Sequence, residues 1–139
     1  MNVELKRIDG DFHFEAIGES GFSIHTDAAP DIGGGGAGAR PMELLLMGLA
    51  SCSAIDMTLI LKKQRQVVDD FRISVNGERV KELGTERSPF TTIHIHYFLK
   101  GQIDPQKAAR AAQLSMEKYC SATAQMAALA EITYEVTIE

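Results

Sequence analysis

Alternating apolar and polar positions predict short strands in the first 27 residues. Three such stretches, residues 3–9 (VELKRID), 12–18 (FHFEAIG) and 22–27 (FSIHTD), are separated by an Asp-Gly and a Ser-Gly dipeptide. An Asp-Gly pair between partly alternating apolar residues is typical of a β-hairpin turn. We therefore predict short strands joined by tight turns at the start of the chain.

A long apolar stretch follows. Residues 44–61 (LLLMGLASCSAIDMTLIL) contain a single charged residue, Asp56. Proline suits the first position of a helix, so Pro41 is the expected start of a helix that continues to about Gln66. A run of this length lies at the lower limit for a membrane span, but a carboxylate near its centre costs roughly 2.5–3.5 kcal/mol on insertion. We therefore predict a buried helix that does not enter a membrane.

The predicted helix is long for a chain of 139 residues. Some 25 residues at about 1.5 Å each span about 37 Å, and one small domain cannot easily surround an apolar rod of that length. A second copy of the chain would cover the remaining face. We therefore favour an intertwined homodimer over a monomer whose helix leaves some leucines exposed.

Between the strands and the helix, residues 30–40 (PDIGGGGAGAR) predict a flexible connector, because glycine loses the most conformational entropy when it is ordered. Its glycines formally match the G-x-G-x-x-G pattern of dinucleotide-binding loops. The true fingerprint follows a strand directly and lies within a βαβ unit, whereas Pro30 and Asp31 intervene here. We therefore expect no dinucleotide site.

In the second half of the chain, apolar and polar positions alternate again. Residues 71–80 and 91–99 predict two strands, and Asp104-Pro105 starts a second helix that continues to Tyr119. A short helix near residues 122–130 and a final strand at 132–138 complete the pattern. Strands, long helix, strands, helices and strand form an α+β layout, with residues 1–139 as a single domain.

Composition narrows the classes of function. Fourteen basic and nineteen acidic residues give a net charge of −5, which argues against non-specific nucleic-acid binding. The N-terminal residues lack the apolar core of a secretory signal, so we expect a cytoplasmic protein. His94 and His96 share a strand face without a third placed ligand, so we expect sheet histidines rather than a zinc site.

Only two cysteines are present, Cys52 and Cys120, which excludes a disulfide-rich scaffold and a four-cysteine zinc site. Inert core thiols, one structural disulfide and a redox pair remain open. Cys52 lies in the middle of the long helix with Asp56 on the same face, and a nearby carboxylate opposes formation of a thiolate. Activation would need a basic group such as Arg40, Arg7 or an arginine of a partner chain, and the residues alone favour an inert cysteine.

Cys120 has different surroundings. It precedes Ser121 and a helical stretch, so it lies near a helix N-terminus, where anions are stabilised. We expect it to be the more acidic of the two thiols. The alternative is a loop cysteine that packs against Tyr119.

Two segments resemble the OsmC/Ohr family. Residues 40–56 (RPMELLLMGLASCSAID) are similar to its central-helix motif, in which a Pro-x-Glu-Leu start and a run of small and apolar residues precede Ala-x-Cys. Residues 116–126 (MEKYCSATAQM) are similar to its second-cysteine site. The order of strands on both sides also fits, so the resemblance covers nearly the whole chain.

The resemblance implies the OsmC-like fold, a cytoplasmic α+β homodimer in which antiparallel strands of both chains wrap two long central helices. It also implies a thiol-dependent peroxidase for organic hydroperoxides and hydrogen peroxide that needs neither a metal nor an organic cofactor. Cys52 would be the nucleophile that becomes a sulfenic acid, and Cys120 would condense with it to a disulfide. A dithiol reductant would restore both thiols.

The chain departs from the family pattern near the start of the helix. In the peroxidases, a glutamate ten residues before the nucleophile pairs with an arginine of an N-terminal strand or loop. Here Met42 occupies that position, and Glu43 is about half a turn out of phase with Cys52 on a straight helix. Arg7 and Arg40 are the candidate partners. We take Cys52, Cys120, Glu43 and Arg40 as the candidate catalytic residues.

A second departure follows Cys120, where Ser121 stands in place of the usual proline. These differences resemble a less characterised branch of the family. A non-catalytic dimer with the same fold, which binds a small apolar ligand at its interface, is the alternative. A stress-associated structural dimer with incidental cysteines is a third interpretation.

Overall fold

A computed structural model describes all 139 residues and divides them into two compact units, Met1–Leu45 and Leu46–Glu139. The first unit contains an antiparallel sheet of the strands β1 (Val3–Asp9), β2 (His13–Gly18) and β3 (Ser23–Thr26), paired in that order. The three strands predicted from the alternating pattern are confirmed.

The glycine-rich connector of the first unit is ordered, so the prediction of a flexible segment is wrong. It contains a 3₁₀ turn at Pro30–Ile32. The Asp27 carboxylate, which is only 3% exposed, accepts backbone hydrogen bonds from Ala28 at 2.7 Å and from Gly35 and Ala37 at 3.0 Å. These bonds, led by that of Ala37, hold the pKa of Asp27 below its usual value despite burial. One side chain thus organises the loop that the glycines alone would leave loose.

Gly38 lets this connector run against β3. The Ala39 N–H donates to the His25 carbonyl at 3.0 Å, and the Asp27 N–H donates to the Ala39 carbonyl at 3.1 Å. A Cβ atom added at Gly38 would lie 2.4 Å from the carbonyl carbon and oxygen of His25. Only glycine therefore allows this approach of backbone to backbone.

The long helix, α1, extends over Pro41–Lys63, three residues shorter than predicted. Its buried residues recur at every fourth position: Leu49, Ser53, Met57 and Leu61. The opposite face is exposed, so the expectation of a helix buried on most sides is wrong for the single chain. An 18-residue window of α1 has a mean hydropathy of 2.0, which is apolar enough for a membrane span, and 22% of it is buried.

The second unit is built on a sheet of three strands, β4 (Val67–Arg79), β5 (Phe90–Gln102) and β6 (Glu131–Ile138). They pair in the order β4-β5-β6, so β5 is central. β4 and β5 are antiparallel and longer than predicted, whereas β5 and β6 are parallel. The predicted antiparallel pairing therefore holds for every strand pair except the last.

Helices connect β5 to β6, because parallel neighbours need a crossover connection. The helix α2 (Pro105–Leu114) starts at Asp104, whose carboxylate accepts the backbone N–H groups of residues 106 and 107. It continues into a π-helical turn at Ser115–Tyr119, and the helix α3 (Ser121–Met126) follows after Cys120. The predicted second helix is thus present, but its last turn is wound differently.

The inward face of β5 forms the centre of the core with Ile93, Ile95, Tyr97 and Leu99, all of which are 0–1% exposed. α1 lies over this sheet, and a Cβ atom added at Gly77 of β4 would come within 3.2 Å of the Leu46 side chain. The predicted α+β class is confirmed. The assignment of residues 1–139 to one domain stays a prediction.

Replacing Gly38 with alanine is expected to destabilise the chain by about 1–3 kcal/mol, because the added methyl group would clash with the His25 backbone. Urea unfolding followed by circular dichroism measures the change. Gly35→Ala is the matched control, since a Cβ atom there meets only the Asp27 carboxylate at 3.5 Å, an ordinary contact. Equal stability of the two variants would contradict this account of the connector.

Candidate functional site

Folding brings the two cysteines together. The Sγ atoms of Cys52 and Cys120 and a carboxylate oxygen of Asp56 all lie within 4.8 Å of one another. Both cysteines are free thiols in this structure. Cys52 and Asp56 are one turn apart on α1, on the flank between its buried and exposed faces, and Cys120 joins the π-helical turn to α3. Residues 68 positions apart in sequence thus form one cluster.

The end of the π-helical turn positions Cys120. Its backbone N–H donates to the Ser115 carbonyl at 2.8 Å, and its own backbone is extended, with φ −72° and ψ 102°. The Sγ atom then accepts the Thr123 backbone N–H at 3.4 Å, so the sulfur occupies the N-cap position of α3. The side chain is only 4% exposed.

Two buried serines hold this turn against α1. The Ser115 hydroxyl donates to the Ser53 carbonyl at 3.4 Å and lies 3.5 Å from Oδ2 of Asp56. Both serines are fully buried. Because serine is small, the π-helical turn can approach the helix closely enough for Cys120 to reach Cys52.

The side chain of Tyr97 in β5 is buried next to the cysteine cluster. Its hydroxyl donates to Sδ of Met116 at 3.3 Å, and the Thr123 hydroxyl lies 3.7 Å from the same sulfur. Burial raises the pKa of Tyr97 to about 12; a hydrogen bond with Ser53 lowers it, and the nearby Cys120 raises it slightly. Tyr97 is therefore a neutral hydrogen-bonding group throughout the physiological pH range.

Burial also controls the ionisation of the cluster itself. It raises the pKa of the Cys120 thiol, and this effect outweighs the opposing hydrogen bonds from Thr123. Proximity to the Cys52 sulfur raises the pKa of Cys120 further. The expectation that the helix N-terminus makes Cys120 acidic is therefore wrong, because a six-residue helix start does not offset the loss of solvent. Burial raises the pKa of Asp56 as well, against a lowering by Ser115.

Arg40 and Glu43 contact each other at the start of α1. The Glu43 carboxylate accepts the Arg40 backbone N–H at 3.1 Å, the reciprocal half of a capping box. This is a bond to the backbone of Arg40 and not an ion pair with its guanidinium group. Arg7, the other candidate, lies in β1 opposite Phe14. Catalytic roles for Arg40 and Glu43 stay predictions.

Sequence reasoning missed the residues that support the cysteine pair, namely Ser53, Ser115, Thr123 and Tyr97. Tyr97 occupies an inward-facing position of an alternating strand. That position is the one sequence signal that could have indicated a buried hydroxyl that requires a hydrogen-bond partner. The other three act through contacts that depend on how the π-helical turn meets α1.

A cavity of about 310 Å³ adjoins the cluster, and Asp56 contributes to its wall. The remaining walls come from the last turns of α1 and from the α2 junction: Leu59, Ile60, Lys63, Gln64, Leu114 and Tyr119. Oε1 of Gln64 is buried without a hydrogen-bond partner. The space is mostly apolar, with polar groups at Asp56, Lys63 and Gln64.

The strand histidines form a separate hydrogen-bonded row on the outer face of the sheet. The imidazoles of His94 and His96 bond to the hydroxyls of Thr133 and Thr137, each at 2.8 Å. Both also approach one oxygen of Glu135, at 3.2 and 3.0 Å. Their partners are thus other side chains of the sheet.

In the reduced protein, iodoacetamide is expected to label Cys52 at about pH 7 and to leave Cys120 unlabelled, because Cys120 is buried and the thiolate is the reactive form. Because burial raises the pKa of Cys120, its labelling begins at a higher pH than that of an ordinary thiol, whose pKa is about 8.5. Peptide mass spectrometry of timed samples across this pH range gives both rates. Protein unfolded in urea, in which both cysteines should react alike, is the control; faster native labelling of Cys120 would contradict the assignment.

Comparison with known proteins gives the family. The sequence model of the family described as "OsmC-like protein" matches residues 33–135. The chain is 33% identical to Protein YhfA of Escherichia coli K12 over 141 aligned positions, which cover 99% of this chain and 98% of YhfA.

Solved structures agree with this result. A hypothetical protein from Aquifex aeolicus is 33% identical, with a TM-score of 0.79, over 99% of this chain and 96% of its own. An organic hydroperoxide resistance protein OsmC from Legionella pneumophila shares the fold at 13% identity, with a TM-score of 0.75, over 98% of this chain and 95% of its own. The family match and the full-length relative together show that this chain is a member of the OsmC-like protein family.

Proposed function

We propose that the chain is a thiol-dependent peroxidase that reduces organic hydroperoxides or hydrogen peroxide. The observation that carries the proposal is the approach of the Cys52 and Cys120 sulfurs to within 4.8 Å, in a family that includes a hydroperoxide resistance protein. A disulfide requires about 2.05 Å between the sulfurs. Side-chain rotation and a small backbone shift can bring the two sulfurs from their present separation to that distance.

The different exposure of the two cysteines supports Cys52 as the nucleophile and Cys120 as the second, disulfide-forming cysteine. Cys52 is half-buried and can meet a peroxide, whereas Cys120 is 4% exposed and holds its proton. The Cys52 thiolate attacks a peroxide oxygen, the O–O bond breaks, and the alcohol or water leaves with one added proton. Cys52 is then a sulfenic acid.

Cys120 completes the first half of the cycle. Its sulfur attacks the Cys52 sulfenic sulfur, the S–O bond breaks, and the Cys120 proton leaves with the hydroxide as water. Asp56, within 4.8 Å of both sulfurs, is placed to pass that proton. An external dithiol then reduces the disulfide and is itself oxidised, which restores both thiols.

The adjoining cavity supports an organic peroxide as substrate. Its apolar walls at Leu59, Ile60 and Leu114 would take an alkyl or aryl substituent while the peroxide group faces Asp56 and the cysteines. The same cavity favours the alternative function, a non-catalytic protein that binds a small apolar ligand. The two functions differ in whether the cysteines are oxidised by peroxide and reduced again in a catalytic cycle.

We propose further that the chain acts in the cytoplasm as a homodimer, with Arg40 and Glu43 assisting Cys52. The dimer is supported by the exposed face of α1, where Met47, Ile55 and Leu59 are 51%, 62% and 52% exposed. These residues and Ser51 recur every four positions, and such rows form the ridges by which helices pack together. Because Cys52 borders this face, a second copy would also enclose the site.

For the peroxidase, wild type with a dithiol reductant is expected to consume cumene hydroperoxide over many turnovers. Cys52→Ser should abolish turnover, because it removes the nucleophile. Without reductant, Cys120→Ser should form the Cys52 sulfenic acid once and stop there, since the chain then holds no second sulfur that can displace water. Peroxide consumption measures turnover, and dimedone labelling followed by mass spectrometry detects the sulfenic acid.

Ser51→Ala, beside the nucleophile on the exposed face, is the matched control and should turn over like wild type. Absence of peroxide turnover in wild type, together with an apolar molecule that copurifies with it in native mass spectrometry, would favour the binding function instead.

For the homodimer, sedimentation velocity of purified wild type is expected to give twice the chain mass. Ile55→Glu should shift the chain toward monomer, because it places a charge in the exposed row of α1. Leu83→Glu is the matched control, since Leu83 is 98% exposed and lies outside the helix. A monomeric wild type would overturn the dimer.

A further inference from the structure

We propose that the reduced protein binds a thiophilic divalent metal ion, with Zn²⁺ as the reference case, through Cys52, Cys120 and Asp56. Their two sulfurs and one carboxylate oxygen lie within 4.8 Å of one another. Zn²⁺ binds thiolate sulfur at about 2.3 Å and carboxylate oxygen at about 2.0–2.2 Å, usually in a tetrahedron. Tetrahedral ligands at these distances lie about 3.3–3.8 Å apart, which is inside the 4.8 Å within which the three atoms already lie.

The arrangement is typical of an open metal site. Three protein ligands leave the fourth tetrahedral position for water or an exogenous ligand. Cys52 borders the exposed face of α1 and Asp56 borders the cavity, so an ion has two directions of entry. Cys120 supplies the buried ligand beneath them.

Outer contacts that orient metal ligands are already in place. The Ser115 hydroxyl lies 3.5 Å from Oδ2 of Asp56, and the Thr123 N–H donates to the Cys120 sulfur at 3.4 Å. Such contacts fix the ligand side chains and strengthen metal sites. The structure therefore holds two of the three ligands in position before an ion arrives.

The proposed metal site also accounts for the presence of a carboxylate at Asp56. It is the single charge within the apolar stretch of α1, and burial disfavours its ionised form. In disulfide formation Asp56 only passes a proton, whereas as an oxygen ligand next to the two sulfurs it completes a donor set. A divalent cation would offset two of the three negative charges on the carboxylate and both thiolates.

Metal binding and disulfide formation exclude each other, because both use the same sulfurs. The ion displaces one proton from each thiol, so binding releases two protons and strengthens as pH rises. The family resemblance implies a peroxidase without a metal, and the ion proposed here is a competing ligand of the reduced pair rather than its cofactor. The inference goes beyond the peroxidase function and stands without it, since it requires only reduced thiols.

The test is titration of the reduced full-length protein with Zn²⁺ against a chromogenic chelator, and with Co²⁺ monitored by absorption. Wild type is expected to bind one ion per chain, with the near-ultraviolet thiolate-to-Co²⁺ charge-transfer band that reports sulfur ligands. Loss of an outer contact alone weakens metal sites by about 10–100-fold, so Cys52→Ser and Cys120→Ser should each weaken binding by about 100-fold or more. Asp56→Asn should weaken it and retain the band.

The matched control is the double variant His94→Gln/His96→Gln, which removes a close group of nitrogen and oxygen ligands elsewhere in the chain and should bind as tightly as wild type. Circular dichroism confirms folding of each variant, and Cys52→Ser, at the less buried position, carries the test if Cys120→Ser does not fold. Absent binding in wild type, unchanged affinity in Cys52→Ser, or loss of binding in the histidine variant would each overturn the proposal.

Discussion

The buried row of α1 is the constraint on which the rest of the second unit depends. Leu49, Met57 and Leu61 cover the sheet, and between them Ser53 is fully buried in a position where a large side chain would be expected. Its small size leaves room for Ser115, whose hydroxyl donates to the Ser53 carbonyl. A larger residue there would hold the π-helical turn, and with it Cys120, away from Cys52. Core packing and candidate chemistry are therefore set by the same contact.

The same helix has a second apolar row on its opposite face, offset by two positions from the first. The buried row packs within the chain, whereas Met47, Ile55 and Leu59 remain exposed. Cys52 and Asp56 occupy the flank between the two rows. This position accounts for the unequal surroundings of the two thiols: one faces the side from which a substrate or second chain would come, and the other lies in the core.

Much of the fold could be predicted from the sequence because it depends on local patterns. The alternation of β1 to β5 and the proline at the start of α1 predicted the correct elements, and the family resemblance pointed to the two cysteines that folding brings close together. The ordered connector could not be predicted, because it depends on one buried carboxylate, Asp27, that collects three N–H groups up to ten positions away. Hydrogen bonds between distant segments cannot be predicted from local composition.

The acidity of Cys120 shows the same limit within the site. A position before a helix correctly predicted an N-cap contact, which the Thr123 N–H provides. Burial beneath α1 reversed the expected direction of the pKa shift, and burial is set by the tertiary fold. The supporting residues Ser53 and Ser115 were missed for that reason, since serines give no sequence signal for a helix contact.

The central claim is that folding makes Cys52 and Cys120 a redox pair within one chain. Peptide mass spectrometry of wild type after one equivalent of an organic hydroperoxide, without reductant and after alkylation of remaining thiols, tests it most directly. The account predicts a Cys52–Cys120 disulfide within the chain, the loss of two hydrogen atoms, and no free thiol. Two alkylated cysteines, or a disulfide only between chains, would contradict it.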